Sequence, residues 1–340
     1  MRLFCKSRRC LSFDRCYFLL GLTYMFFSFQ GMMLYTSMYF CSGLPLKPMI
    51  KDCKKMSAVI SDYGRHSFLL MNLPFQQCIT NLCGYSDDNI LDLNQGPLRE
   101  LRRKLGWKPG GTGEFTEFSL RMQLAFYCEE FELAATLVKK LKSVGSGASS
   151  SCVPDQQRTM FYCLVEIQNV RDSKRMTLQS HRHRREANKH HAQMRKWVVD
   201  MGNVNSCHKL LILDAEMNSI GRTSGVELKL AYDNAIAAAA RAGFLQDAAL
   251  ASHLACRALD YKDKSLYWDR AVNLYRKWGA EGVVRYLTRS RGQRLLEDLP
   301  EIIARPGFRA RSRFNTAAID FDVATSGTCT EIEMEIDNKC

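Results

Sequence analysis

Residues 208–243 read HKLLILDAEMNSIGRTSGVELKLAYDNAIAAAARAG, and residues 244–279 read FLQDAALASHLACRALDYKDKSLYWDRAVNLYRKWG. At a step of 36 residues, Ala215 falls on Ala251, Tyr232 on Trp268 and Asp233 on Asp269. The same step puts Ala235 on Ala271, Ile236 on Val272 and Gly243 on Gly279. Small residues suit the places where two helices cross closely, and aromatics fill the grooves between them. Glycine suits the residue just past a helix end. One such pair of helices cannot bury its own apolar face, so pairs must stack. The expected fold is therefore all-α, with Ala215, Tyr232, Ala235, Gly243, Ala251, Trp268, Ala271 and Gly279 defining the repeat.

Upstream, apolar residues recur at three and four positions, the spacing of one helix face. Met49 to Asp62 and His66 to Cys83 read as a helical pair with a turn at Tyr63–Arg65. Phe115 to Tyr127 and Glu129 to Val144 read as the next pair, and Arg158 to Val170 as a further helix. The polar stretch 84–97 and the glycine-rich stretch 107–113 read as loops. Residues 146–153 read as a Gly/Ser linker between two repeat halves, 17–145 and 154–305. A basic tail, 1–16, precedes the first half. Residues 306–340 turn polar and then acidic at Glu331, Glu333, Glu335 and Asp337, the composition of a disordered tail.

Of 340 residues 46% are hydrophobic and only eight are proline, which suits long helices. The fourteen cysteines are scattered without a single CxxC, and the chain is far larger than domains that need disulfides. They read as reduced, mostly buried thiols. Tyr17 to Phe40 is uncharged, and 17 of its 24 residues are apolar. That length fits a membrane span preceded by basic residues. Thr23, Gln30, Gly31 and Thr36 dilute it, so the competing reading is a buried helix of the array.

The period and the alanine/aromatic pattern resemble the tetratricopeptide class, so the expected architecture is an α-solenoid of tetratricopeptide-like helix pairs. Longer motifs resemble one setting of that class. They are Cys41-Ser42-Gly43-Leu44-Pro45-Leu46, His208 to Glu216, Ala231 to Ile236, Ala240 to Phe244, Ala248 to Ala251 and Tyr275 to Ala280. Together they resemble the helical region of large signalling proteins. There a kinase-like domain and a STAND-type, AAA-related ATPase precede it, and sensor or histidine kinase domains follow. The resemblance covers about residues 20–288 and is most specific at 206–280. It implies a relay arm in the cytoplasm, and it favours 17–40 as a repeat helix over a membrane anchor.

The catalytic signatures of those neighbours are missing. No GxxxxGK[ST] phosphate loop occurs, and Pro109-Gly110-Gly111-Thr112-Gly113 lacks its lysine. No kinase catalytic loop occurs. No enzymatic activity and no cofactor are therefore expected. The chain reads as the arm alone, either a free scaffold or a piece of a larger signalling protein.

Lys plus Arg exceed Asp plus Glu by 13. Much of that excess lies at Arg171, Lys174, Arg175, Arg182, Arg184, Arg185, Lys189 and Arg195, with Lys196 at the end of the run, the candidate contacts for an anionic partner. Only Trp197 stands near to stack on a base, which counts against nucleic acid; an acidic protein partner is the parallel reading, and a plainly solvated basic face competes with both. The acidic end of the chain itself is one such segment. His183 and His190 lie two helical turns apart, but Glu186 is the only carboxylate near them. A metal site is not expected there.

Overall fold

The computed structural model describes residues 27–86, 89–107, 113–144, 152–173, 177–221 and 223–303, without the side chains of Tyr261 and 293–303. Among these residues there are helices and turns and no strand. The helices are α1 (27–42), α2 (Leu46–Asp62), α3 (His66–Leu82), α4 (Gly96–Leu105), α5 (Glu114–Tyr127), α6 (Phe131–Val144) and α7 (Val153–Asp172). They continue with α8 (Leu178–Arg195), α9 (Cys207–Ser219), α10 (Gly225–Arg241), α11 (Leu245–Ala258), α12 (Tyr261–Trp278) and α13 (Glu281–Ile303). A π turn, Lys196–Asp200, extends α8, and a single 3-10 turn, Val204–Ser206, leads into α9. The chain divides into two units, 1–293 and 294–340. Every contact described below lies in the first; of the second, the helical backbone of 294–303 is described.

Local chemistry sets the helix ends. Ser224 caps α10 by accepting from the Glu227 N–H, while the Glu227 carboxylate accepts from the Ser224 N–H, a reciprocal capping box. Proline stands in the first turn of α4 and of α7, where no helical N–H partner is lost. The helix α4 falls between two stretches read as loops. Its signals were present: Pro97 near the start, Leu98, Leu101 and Leu105 on one face, and Gly106 just past the end.

Packing follows the hairpin order. α2 pairs with α3, α5 with α6, α7 with α8, α9 with α10 and α11 with α12. α5, α7, α9 and α11 touch in succession, while α6, α8 and α10 each rest on the first helix of the following pair. One hydrophobic core runs through this stack, and a smaller one between α1, α2, α3 and α4 gathers Phe29, Ile60, Leu69, Leu70, Leu73 and Leu98.

The array curls until distant pairs meet. Tyr127 at the end of α5 lies 6.0 Å from Tyr275 and 5.9 Å from Trp278 of α12, ring to ring. Beside it, Glu129 takes His253 of α11 at 2.9 Å and Glu130 accepts from the Tyr286 hydroxyl of α13 at 2.5 Å. The α1–α2 turn then closes against α11. Gln246 Nε2 donates to the Cys41 carbonyl at 2.8 Å across 205 residues of sequence. Gly43, at φ +78°, sits so close that a Cβ there would stand 2.8 Å from the Leu245 nitrogen. Only glycine fits both that backbone and that gap. At the other end of the contact, a Cβ on Gly282 of α13 would lie 2.1 Å from the Asn81 carbonyl oxygen of α3.

α1 is a helix of this array over its described length. Phe29, Met33, Thr36, Phe40 and Cys41 are buried, and the Thr36 hydroxyl donates to Asn72 Oδ1 of α3 at 3.2 Å. Among the described residues, no helix is long and apolar enough to cross a membrane. Residues 17–26 of the apolar run, the tail 1–16, most of the linker at 146–153 and the tail 306–340 lie outside the described residues.

Candidate anion-binding face

The basic segment folds as α8, and its inner side is fixed to the core. Ala187, Met194 and Trp197 are buried. The Cys163 thiol of α7 donates to the Ala187 carbonyl at 3.3 Å. Two histidines lock the edges. His183 Nδ1 lies 2.6 Å from Glu166 Oε2 on α7, and His191 Nε2 lies 2.6 Å from Asp214 Oδ1 on α9. Lys142 of α6 joins Glu166 at 3.1 Å and Glu186 at 3.5 Å. His190 packs on Tyr162 with ring centroids 5.4 Å apart. Burial, reinforced by Lys142, holds its imidazole down at about 4. His183 and His190, candidates for one face by spacing, therefore serve separate partners. Among the described residues, no group of three or more His, Cys, Asp or Glu side chains is placed to hold a metal ion.

The outer side is different. Arg182, Arg185, Lys189 and Lys196 follow one another at helical spacing and are all exposed. None of them has an ion pair among the described residues, and Glu186, the acidic residue of α8, is held by Lys142 on the flank. Arg184 is half-buried and Arg195 is exposed on an adjoining side. Lys174 and Arg175 lie outside the described residues. Arg171 departs from its expected role. It reaches inward from the end of α7, its Nη1 2.9 Å from Glu216 Oε2 of α9, and its Nη2 donates to the Ser219 hydroxyl. Glu216 is fully buried and also accepts from the Tyr232 hydroxyl of α10. A buried carboxylate demands such partners, so Arg171 is spent on the core. The face thus presents Arg182, Arg185, Lys189 and Lys196.

A second polar centre escaped the sequence reading. Where α7, α9 and α11 converge, Lys209 Nζ donates to Gln157 Oε1 at 2.6 Å and pairs with Asp247. His208 Nε2 meets the same Asp247 oxygen at 2.8 Å and stacks on Phe244, centroids 4.2 Å apart. Lys209, Gln157, Asp247 and His208 are all buried. Burial by itself would raise the Asp247 carboxyl; Lys209 and His208 outweigh it and hold it at about 2. The cluster lies beside Gln246, whose amide holds the α1–α2 turn. Cys207 is exposed while His208 points into this cluster, so thiol and imidazole face apart.

Of the repeat positions, Ala215, Ala235, Ala251 and Ala271 are buried. Gly243 and Gly279 both take left-handed backbone, at φ 82° and 96°. The aromatic correspondence does not hold. Tyr232 is buried, but in α12 the buried ring is Tyr267; Trp268 is half-buried against Arg291, whose guanidinium lies 4.6 Å over its ring. Seven of the described cysteines are buried, and burial pushes Cys41 and Cys53 up to about 12 and Cys83 to about 11. Cys152 and Cys207 are exposed. No family model matches the chain, and no curated protein or solved structure matches it.

Proposed function

We propose that this chain is a non-catalytic protein-interaction scaffold, a tetratricopeptide-like relay arm related to ATPase-linked signalling proteins, which receives an acidic protein segment on α8. The observation that carries the reading is the row Arg182, Arg185, Lys189 and Lys196, exposed and without ion pairs among the described residues, on a helix whose other side is pinned by Glu166 and Asp214. Charges fixed on a rigid helix lose little freedom when a partner arrives. Arginine adds paired donors that match a carboxylate.

The relation to signalling arms rests on the motifs. Cys41 to Leu46 and Ala240 to Phe244, quoted for the resemblance, approach each other at Gly43, where a Cβ would stand 2.8 Å from the Phe244 Cα. Their residue types thus have a shared structural reason. The stacked order of hairpins supports the solenoid reading, although this array curls on itself and leaves its partner an outer helix face. A cytoplasmic location belongs to the same reading, because the buried thiols are unpaired.

The test is a fluorescence-anisotropy titration with a labelled glutamate-rich peptide, a charge-neutral peptide and a single-stranded oligonucleotide. The reading expects the acidic peptide to bind with a strong salt dependence. The triple variant Arg182→Glu, Arg185→Glu, Lys189→Glu should weaken it about tenfold or more. Equal binding by the variant, or preference for the oligonucleotide, would overturn the proposal.

A further inference from the structure

A separate surface carries an apolar stripe that the scaffold reading does not use. Among the described residues, seven of the seventeen exposed large hydrophobic ones fall between residues 27 and 63: Phe27, Leu34, Tyr35, Met38, Leu44, Val59 and Tyr63. Phe27 is 63% exposed and Leu34 54%. Phe27, Leu34 and Met38 stand at helical spacing along the outer side of α1, opposite its buried Phe29, Met33 and Phe40. Scattered exposed apolar residues need no explanation, but a contiguous stripe marks a docking surface.

What borders the stripe identifies the partner. α1 and α2 run antiparallel, joined at the surface by the Tyr35 hydroxyl donating to Asp52 Oδ2 at 3.0 Å and the Tyr39 hydroxyl donating to the Pro45 carbonyl at 3.1 Å. The outer sides of the two helices therefore adjoin. On α2 that side shows Lys47, Lys51 and Lys55, with Lys54 next to them, all exposed and without an ion pair among the described residues. Asp52 is the acidic residue on the seam. Lysine is depleted at protein interfaces because its strongly hydrated ammonium resists burial. At a lipid surface it stays hydrated, its stem lying along the apolar layer and its head among phosphates. Tyr35 borders the stripe with an apolar ring and a polar tip, as aromatics do at membrane interfaces. The sequence leading to Phe27 is uncharged from Tyr17 and basic before it, at Arg2, Lys6, Arg8, Arg9 and Arg15.

We infer that the α1–α2 face docks on an anionic lipid bilayer, with Phe27, Leu34 and Met38 entering the interface and Lys47, Lys51 and Lys55 meeting headgroup phosphates. This is contact with a membrane surface by one face of a packed helix; the other face of α1 stays in the protein core.

Flotation of the full chain with two vesicle types tests it, phosphatidylcholine alone and phosphatidylcholine with phosphatidylserine. The chain should float with the phosphatidylserine vesicles and release as salt rises. Two variants on exposed positions, Leu34→Glu with Met38→Glu and Lys51→Glu with Lys55→Glu, should keep the circular dichroism of the parent. Each should weaken vesicle binding about tenfold or more. The α8 triple variant should bind vesicles like the parent, which separates this surface from the peptide face. No flotation with phosphatidylserine vesicles overturns the inference. So does parental binding by both α1–α2 variants, which would place lipid contact on residues 1–26. Conversion of a dimer to a monomer by Leu34→Glu with Met38→Glu, without any lipid effect, would instead assign the stripe to a second copy of the chain.

Discussion

At the residue scale, the decisive positions are those where a single atom count matters. Gly43 combines left-handed backbone with a neighbour closer than any Cβ tolerates. Gly43→Ala should destabilise the protein by more than about 2 kcal/mol in urea unfolding, adding backbone strain to steric overlap. The Lys209–Asp247 pair makes a different point. Lys209→Met alone should cost about 3–5 kcal/mol, because Asp247 is left charged in the core. Adding Asp247→Leu should recover a large part of the loss, and a thermal melt of the single and double variants reads this directly. His190 supplies a pH dependence. Its imidazole is protonated below about 6.5 in the unfolded chain but only near 4 when folded. Its contribution is present above 6.5 and is lost as pH falls toward 4. The parent should lose on the order of 3 kcal/mol over that window in urea titrations, and His190→Phe should flatten the profile. None of this was legible in the sequence. His190 looked like part of a basic run, and nothing in the letters says that Lys209 faces inward while Cys207, two residues away, faces out.

At the element scale the sequence was far more informative. The 3.6-residue periodicity and the glycines at helix ends put α2, α3, α5, α6, α11 and α12 close to where they lie. Tyr267 and Trp268 show the limit of pattern matching. Two adjacent aromatics satisfy the same alignment, and only packing against Asp233, which accepts from the Tyr267 hydroxyl at 2.7 Å, selects the buried one. α8 is the element whose character the sequence half revealed. Its composition announced a solvated basic face, yet its inner seam depends on Glu166 gathering Lys142 and His183. Glu166→Gln should loosen that seam. Amide hydrogen exchange along Leu178–Arg195 should quicken, while α11 and α12 keep their protection. Equal effects on all three helices would mean that α8 is not held locally.

At the scale of residues 27–293, closure of the array decides how its parts depend on one another. Stacked helix pairs that touch only their neighbours behave as a one-dimensional chain, and damage at one end stays there. Here Tyr127 reaches Tyr275, Glu129 reaches His253 and the Cys41 carbonyl reaches Gln246, so the first helices rest on the last pairs. The repeat letters dictate stacking but say nothing about how far the stack bends, because curvature accumulates from small angles at each interface. That is why the hairpins were legible and their closure was not. Closure also explains the partner surfaces proposed above: the inner face is occupied, which leaves α8 and the α1–α2 face on the outside. The most direct test perturbs one end and reads the other. In Gly43→Ala, hydrogen exchange of the α11 and α12 amides should speed up along with that of α1 and α2. Unchanged protection of α11 and α12 would contradict the closed array and leave an open stack whose ends are independent.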